Sequence, residues 1–159
     1  MTEKIRIIRQ GDILTSEMQT LVNPINCVGV MGKGLALTFK ETYPLMYNDY
    51  YRRCQAKEVQ VGMPYLYKLS NDEWMLNLSY DKWILNFPTK NHWRHKTKVS
   101  YIEDGLKYLV AHYREWGITS LAVPALGCGC GGLSWEYDVF PRIQRYLYPL
   151  DLPLEIYIP

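Results

Sequence analysis

Three short stretches of this chain hold the residues able to do chemistry, and two of them are rich in glycine. Residues 124–133 read PALGCGCGGL. They follow a short apolar run at 118–123 that predicts a buried strand. They precede Ser134, a fitting N-cap, and Glu136, a first-turn acid. The order is therefore strand, glycine-rich turn, helix. Gly127, Gly129, Gly131 and Gly132 free the backbone to turn several N–H groups onto one concave side, which suits a phosphate or diphosphate at the positive end of the next helix. No Gly-Lys-Ser/Thr closes the turn and the spacing is not GxGxxG, so it is neither a P-loop nor a dinucleotide fingerprint. A tightly packed connection would use the same residues. The second stretch, GVMGKG at 29–34, feeds a helix predicted over 35–43; Lys33 between its glycines suits a phosphate clamp or a solvated turn equally. The third, NFPTKNHWR at 86–94, carries Lys90 beside His92, Trp93 and Arg94. By composition alone Lys90 is a surface lysine in a basic loop with Lys96 and Lys98.

The elements that must position these stretches alternate. Residues 5–8, rich in Ile, predict a first strand, at an edge because Arg6 and Arg9 flank its apolar positions. It leads to Gly11, Asp12 and Ile13. A second strand at 20–22 runs into Asn23 and Asn26. Pro44 closes one helix and opens the next, which sets Tyr47, Tyr50, Tyr51 and Cys54 at helical spacing. Residues 65–69 alternate as a half-buried strand; 71–73 suit a hairpin tip, with 74–78 returning and a further strand at 83–87. Val99, Ile102, Leu106, Leu109, Val110 and Tyr113 mark one face of a helix stopped at Gly117, and a last strand falls at 154–158. Strands alternating with helices predict an open α/β sheet. Ligands of such sheets sit beyond the carboxyl ends of the strands, which places Asp12, Asn26, Gly32, Lys90 and the 127–132 loop on one rim.

Composition narrows the function classes. The chain has 159 residues, enough for a single domain spanning 1–159 with its own core. Its longest apolar runs are too short for a membrane span, so no membrane partner is expected and the expected location is the cytoplasm. A net charge of +2 leaves nucleic-acid binding to a local patch. The four cysteines Cys27, Cys54, Cys128 and Cys130 lack a second pair at metal spacing, so no metal is expected and Cys128 and Cys130 read as small loop-lining residues. Fourteen tyrosines and five tryptophans exceed the needs of such a core, so some rings are candidates for a groove, although core-edge packing is their commoner use.

Gly11-Asp-Ile13, Val22-Asn-Pro-Ile-Asn26, Gly32-Lys-Gly34 and the PALGCGCGGL stretch, in that order, resemble the macrodomain family, which binds ADP-ribose. The match runs along nearly the whole chain. Residues 26–36 together with NFPTKNHWR are similar to a narrower group, the macrodomains of DarG antitoxins, partners of DarT toxins that ADP-ribosylate DNA bases. The resemblance implies a three-layer α/β/α fold with a mixed central sheet flanked by helices. It implies an ADP-ribosyl glycohydrolase that frees ADP-ribose from nucleobases of DNA and needs no cofactor. Its partners would be ADP-ribosylated, single-stranded DNA and a cognate toxin, and it would act as a monomer, either cut from a longer antitoxin or standing alone. Asp12 would accept from the adenine amine, with the Ile13 N–H on the same ring. Asn26 would meet the distal ribose and take part in catalysis. Gly32, Lys33, Gly34, Leu35, Thr89 and the run Gly127, Cys128, Gly129, Cys130, Gly131, Gly132, Leu133 would wrap the diphosphate and distal ribose. Lys90 would be the catalytic residue. Related enzymes with this lysine also carry an aspartate in the 127–133 loop; this chain has Gly131 and Gly132 there, as the antitoxin group does.

Two roles for Lys90 stay open. Deprotonated, it could attack the anomeric carbon; protonated, it could donate to or stabilise the departing base. His92, Trp93 and Arg94 are candidates for DNA contact by stacking and phosphate pairing; the alternative is a solvated turn with Trp93 packed inward. A non-catalytic ADP-ribose reader and a hydrolase of protein-linked or small ADP-ribose esters are the competing functions.

Overall fold

The computed structural model describes residues 4–69 and 82–159. Strands β1 (Ile5–Arg9), β2 (Thr20–Asn26), β3 (Tyr65–Lys68), β4 (Trp83–Lys90), β5 (Leu121–Val123) and β6 (Leu154–Ile158) form one sheet in the order β1-β6-β5-β2-β4-β3. Every pairing is parallel except β3 with β4, so the sheet is mixed, with β1 and β3 at its edges. The hairpin expected at 71–78 lies outside the described residues.

Side-chain alternation divides the core into two layers. Leu21 and Ile25 of β2, with Ile84 and Ala122, face helices α1 (Gly34–Thr42) and α2 (Pro44–Gln55) and pack on Phe39, Met46 and Tyr50. Val22, Leu85 and Phe87 point the opposite way, onto Ile102, Leu106 and Leu109 of α3 (Val99–Trp116) and Ile143 and Leu147 of α4 (Phe140–Leu147). Helices thus cover both faces, the arrangement that lets a parallel sheet bury almost every residue of its central strands. Each wholly buried Leu, Ile or Phe contributes roughly 1.5–3 kcal/mol relative to exposure. On the α1/α2 side two buried polar side chains pair: Asn23 Nδ2 donates to Asn86 Oδ1 across the β2–β4 ladder at 3.0 Å, and Asn86 donates to the Tyr65 hydroxyl at 3.2 Å. Burial raises the Tyr65 phenol, which therefore stays protonated.

Several element bounds differ from the sequence expectation. The second strand continues from 22 to Asn26, through Pro24. β5 pairs only with Thr20 and Leu21, so beyond them that edge of β2 needs no ladder bond and tolerates a proline. The strand expected to stop at 87 also continues, through Pro88 to Lys90. Lys90 is therefore the last residue of a strand and not part of the loop beyond it. After Ser134 the chain makes a π-turn (Trp135–Val139) before α4, because Pro141 has no N–H to give to a regular helix there.

Candidate functional site

A cavity of about 580 Å³ opens at the carboxyl ends of β2, β4 and β5. Four segments line it: Pro24, Ile25 and Asn26 from the end of β2; Val30, Gly32, Lys33, Gly34, Leu35 and Ala36 from the next loop and the start of α1; Thr89, Lys90 and Trp93 around the end of β4; and Pro124, Ala125, Gly127, Gly129, Cys130 and Gly131 after β5. The volume falls in the usual range for small-molecule sites.

Two features make this cavity suited to an anion. The first is the N-terminus of α1. Its first N–H groups have no intrahelical acceptor, no acid stands in its first turn, and Lys33 sits beside it with no capping hydrogen bond. The helix after the 127–133 loop does not play that part. Its start is already satisfied: Ser134 Oγ accepts from Tyr137 N at 3.1 Å, Asp138 accepts from Ser134 N at 2.9 Å, and Glu136 adds negative charge. The helix start left open to an anion is thus that of α1 and not, as expected, the one after the 127–133 loop.

The second feature is the 127–133 loop itself. Cys128 N donates to Ala125 O, Gly132 N to Gly129 O and Leu133 N to Gly127 O, at 3.2, 3.3 and 2.9 Å. Those three N–H groups hold the turn closed. The N–H groups of Gly127, Gly129, Cys130 and Gly131 have no backbone acceptor among the described residues, and these four are the ones that line the cavity. Gly127 takes φ +74°, a conformation that favours glycine. Gly131 is glycine for want of room: a Cβ there would lie 2.4 Å from both Gly127 O and Thr97 Oγ1. The loop that carries an aspartate in related enzymes has no space for one at this position. Thr97, missed in the sequence, wedges behind the turn; it is buried, and its N–H donates to Gly131 O at 3.0 Å.

Asn26 and Lys90 meet on the floor of the cavity. The β2–β4 register slips by one residue at Asn26, so that Asn26 pairs with Lys90 instead of Thr89. Lys90 Nζ is 3.4 Å from the Trp93 carbonyl, and no salt bridge holds it among the described residues. Most of Asn26's amide is committed to its own turn: Oδ1 accepts from Val28 N at 3.0 Å and Val30 N at 3.4 Å, while Nδ2 donates to Val30 O at 2.7 Å.

Trp93 is 45% exposed at the cavity mouth, which rules out its packing inward. His92 stacks on it at 5.2 Å between ring centroids, and the Arg94 guanidinium lies 4.7 Å from the Trp93 ring. Asp12 and Ile13 sit beyond the end of β1 and are not among the residues that line the cavity, although Ile13 shares a core cluster with Ile25, which does. Asp12 caps a single 3-10 turn (Ile13–Thr15), accepting from Leu14 N at 3.0 Å. Cys128, Gly132 and Leu133 support the loop without lining the cavity. Burial pushes the Cys128 thiol up to about 11, so it is no nucleophile at neutral pH.

The Macro domain family pattern matches residues 22–139, a stretch that spans the whole cavity wall. The chain belongs to the macrodomain family. Among solved structures, this macrodomain superposes on the macrodomain of Mycobacterium tuberculosis DarG with a TM-score of 0.88 and 44% identity, covering 98% of this chain and 97% of that one. It matches Thermosipho africanus DarTG in complex with ADP-ribose with a TM-score of 0.86 and 45% identity, covering 97% of this chain and 42% of that one. Over its whole length it is 44% identical to a Thermosipho africanus protein named as a DNA ADP-ribosyl transferase–DNA ADP-ribosyl glycohydrolase fusion, covering 43% of it. The chain thus spans about two fifths of the length of the DNA ADP-ribosyl glycohydrolases it matches. Its close relatives are DarG macrodomains of DarT–DarG systems, and the three-layer α/β/α architecture with a mixed sheet is theirs. Among the described residues no helix is long and apolar enough to cross a membrane.

Proposed function

We propose that this macrodomain is a glycohydrolase that releases ADP-ribose from nucleobases of DNA, reversing the modification made by a cognate DNA ADP-ribosyltransferase toxin. The observation that carries the reading is the placement of Lys90: it ends β4 level with Asn26, on the floor of a cavity whose other walls offer free N–H groups to a diphosphate. The names of relatives at 42–45% identity, DNA ADP-ribosyl glycohydrolases, support the same substrate class.

In this reading the diphosphate lies between the start of α1 and the loop bearing Gly127, Gly129, Cys130 and Gly131. Cys128, Gly132 and Leu133 keep that loop closed. Asp12 and Ile13 take the adenine, the distal ribose sits over Asn26 and Thr89, and the modified base leaves past Trp93. Hydrolysis breaks the C–N bond between ribose and base; water supplies a hydroxyl to the anomeric carbon and a proton to the base. Lys90 acts at that carbon or at the departing base. Since the 127–133 loop offers no carboxylate, Lys90 carries the chemistry without an acid from that loop.

His92, Trp93 and Arg94 contact the strand that carries the modified base, a single strand because a stacking ring needs an unpaired base. The domain works as a monomer in the cytoplasm and needs no cofactor or metal. Incubation with an ADP-ribosylated single-stranded oligonucleotide and with an ADP-ribosylated peptide tests the proposal. Release from the oligonucleotide alone is the expected result; release from the peptide alone would assign the site to protein esters, and binding without release would make it a reader.

A further inference from the structure

Helix α2 aims three tyrosines at the turn that follows Asn26. The Tyr47 hydroxyl donates to Gly29 O at 2.9 Å, and the Tyr51 ring lies 3.2 Å from where a Cβ on Gly29 would stand. Between them Tyr50 is wholly buried, its hydroxyl 2.8 Å from Asn26 Oδ1 and 2.9 Å from Asn26 O. Counting Val28 N and Val30 N, the Asn26 Oδ1 faces three donors. That number fixes the amide's orientation, since turning it over would set an NH₂ against three donors. One Nδ2 hydrogen is used on Val30 O. The other has no protein partner among the described residues, in a side chain that lines the cavity beside Lys90.

Packing does not explain the hydroxyl. The Tyr50 ring fills its place among Phe39, Met46 and Ile84, and a phenylalanine would fill it as well. The two backbone N–H bonds to Oδ1 suffice to form the turn. The hydroxyl has one proton and two acceptors in reach, Asn26 Oδ1 and Asn26 O; given to Oδ1, the shorter contact, it adds a third donor that polarises the amide and strengthens its free N–H. Burial holds the Tyr50 phenol far above its ordinary range, so it remains a donor at any working pH.

We propose that Tyr50 is a positioning residue for the reaction: its hydroxyl orients and polarises the Asn26 amide so that the free Nδ2–H meets the distal ribose. This rests on the placement of that ribose over Asn26 in the proposed function.

A double-mutant cycle tests it. Tyr50→Phe, Asn26→Ala and the pair are compared with the parent protein for kcat and KM on an ADP-ribosylated oligonucleotide, for ADP-ribose affinity by calorimetry, and for Tm. Tyr50→Phe is expected to lower kcat by about tenfold with little change in Tm. The double variant should match Asn26→Ala within about twofold, because without the amide the hydroxyl has nothing to position. Two results overturn the proposal: a parental rate for Tyr50→Phe, or a Tyr50→Phe effect that persists undiminished in the Asn26→Ala background, which would make Tyr50 merely structural. A parental rate for Asn26→Ala overturns it together with the ribose placement. If no variant and not even the parent releases ADP-ribose from DNA, the glycohydrolase reading fails. The ADP-ribose affinities then decide positioning by the same rule: a non-additive loss supports it and an additive one overturns it.

Discussion

Asn26 and Lys90 are cross-strand partners on the last rung that β2 and β4 share. They reach that position through a one-residue slip after the Ile25–Pro88 pair, without which Asn26 would stand level with Thr89. The slip matters because parallel partners present their side chains on the same face of a sheet. It puts an amide whose geometry is fixed by its own turn beside an amine held, among the described residues, by nothing stronger than the Trp93 carbonyl. One residue is constrained and the other is free to move, a sensible division between a group that orients a sugar and one that acts on it.

The tight turn behind the cavity makes a contrast between two glycines testable. A Cβ on Gly131 meets backbone and the Thr97 hydroxyl at 2.4 Å, whereas a Cβ on Gly129 meets nothing within 4 Å. Gly131→Ala is expected to destabilise the protein by roughly 1–3 kcal/mol, the usual range for overpacking, and to weaken ADP-ribose binding as the loop opens. Gly129→Ala should stay within about 0.5 kcal/mol of the parent. Chemical denaturation measures both. Equal stability of the two variants would mean that the turn is not closed as described.

Thiol labelling reads the cavity from inside. Cys130 is exposed on the wall, while burial pushes Cys27 and Cys128 up to about 11 each. At pH 8 those two are only about one part in a thousand thiolate. Their labelling should rise as pH approaches 11, the thiolate forming as pH climbs toward the raised value. Iodoacetamide at pH 8 should therefore modify Cys130 first, and saturating ADP-ribose should slow it. Peptide mapping by mass spectrometry checks this; Cys128 reacting as fast as Cys130, or no protection by ADP-ribose, would contradict it.

Much of this site was legible in the sequence because strand ends carry their own punctuation. Glycine, asparagine and lysine after apolar runs located the 26–34, 86–94 and 124–133 segments and set them on one rim. What the pattern understated was the length of two strands. Pro24 and Pro88 look like strand terminators, yet both sit inside strands that run on to Asn26 and Lys90, since the partner that would need a hydrogen bond from Pro24 is missing. Ser134 was a correct N-cap, but a cap and two acids satisfy a helix start, so the anion-ready end is that of α1. Thr97 gave no local signal, and the helical spacing that marked Tyr50 did not reveal what its hydroxyl touches. Their importance comes from contacts 34 and 24 residues away along the chain, with Gly131 and Asn26.

At the mouth of the cavity, Trp93 and Arg94 divide strand binding between stacking and charge. Trp93→Ala should weaken binding of a single-stranded oligonucleotide by roughly 1–3 kcal/mol, the value of one base stacked on a ring, while ADP-ribose binding changes little. Arg94→Ala should instead reduce the salt dependence of oligonucleotide binding by about one phosphate contact. Fluorescence titration at several salt concentrations separates the two. If neither variant alters oligonucleotide affinity, the strand leaves the cavity by another side.

The central claim is that Lys90 performs the chemistry, and one comparison addresses it most directly: release of ADP-ribose from a modified oligonucleotide by the parent protein, Lys90→Ala and Lys90→Arg, with ADP-ribose affinity measured on the same samples. Lys90→Ala should abolish release while ADP-ribose affinity stays within about tenfold, or ~1.4 kcal/mol. Arginine keeps the charge but cannot serve as an amine nucleophile at neutral pH. Near-complete loss in Lys90→Arg therefore indicates attack or proton transfer, and a substantial retained rate indicates electrostatic stabilisation of the departing base. Release by Lys90→Ala at the parental rate would contradict the account.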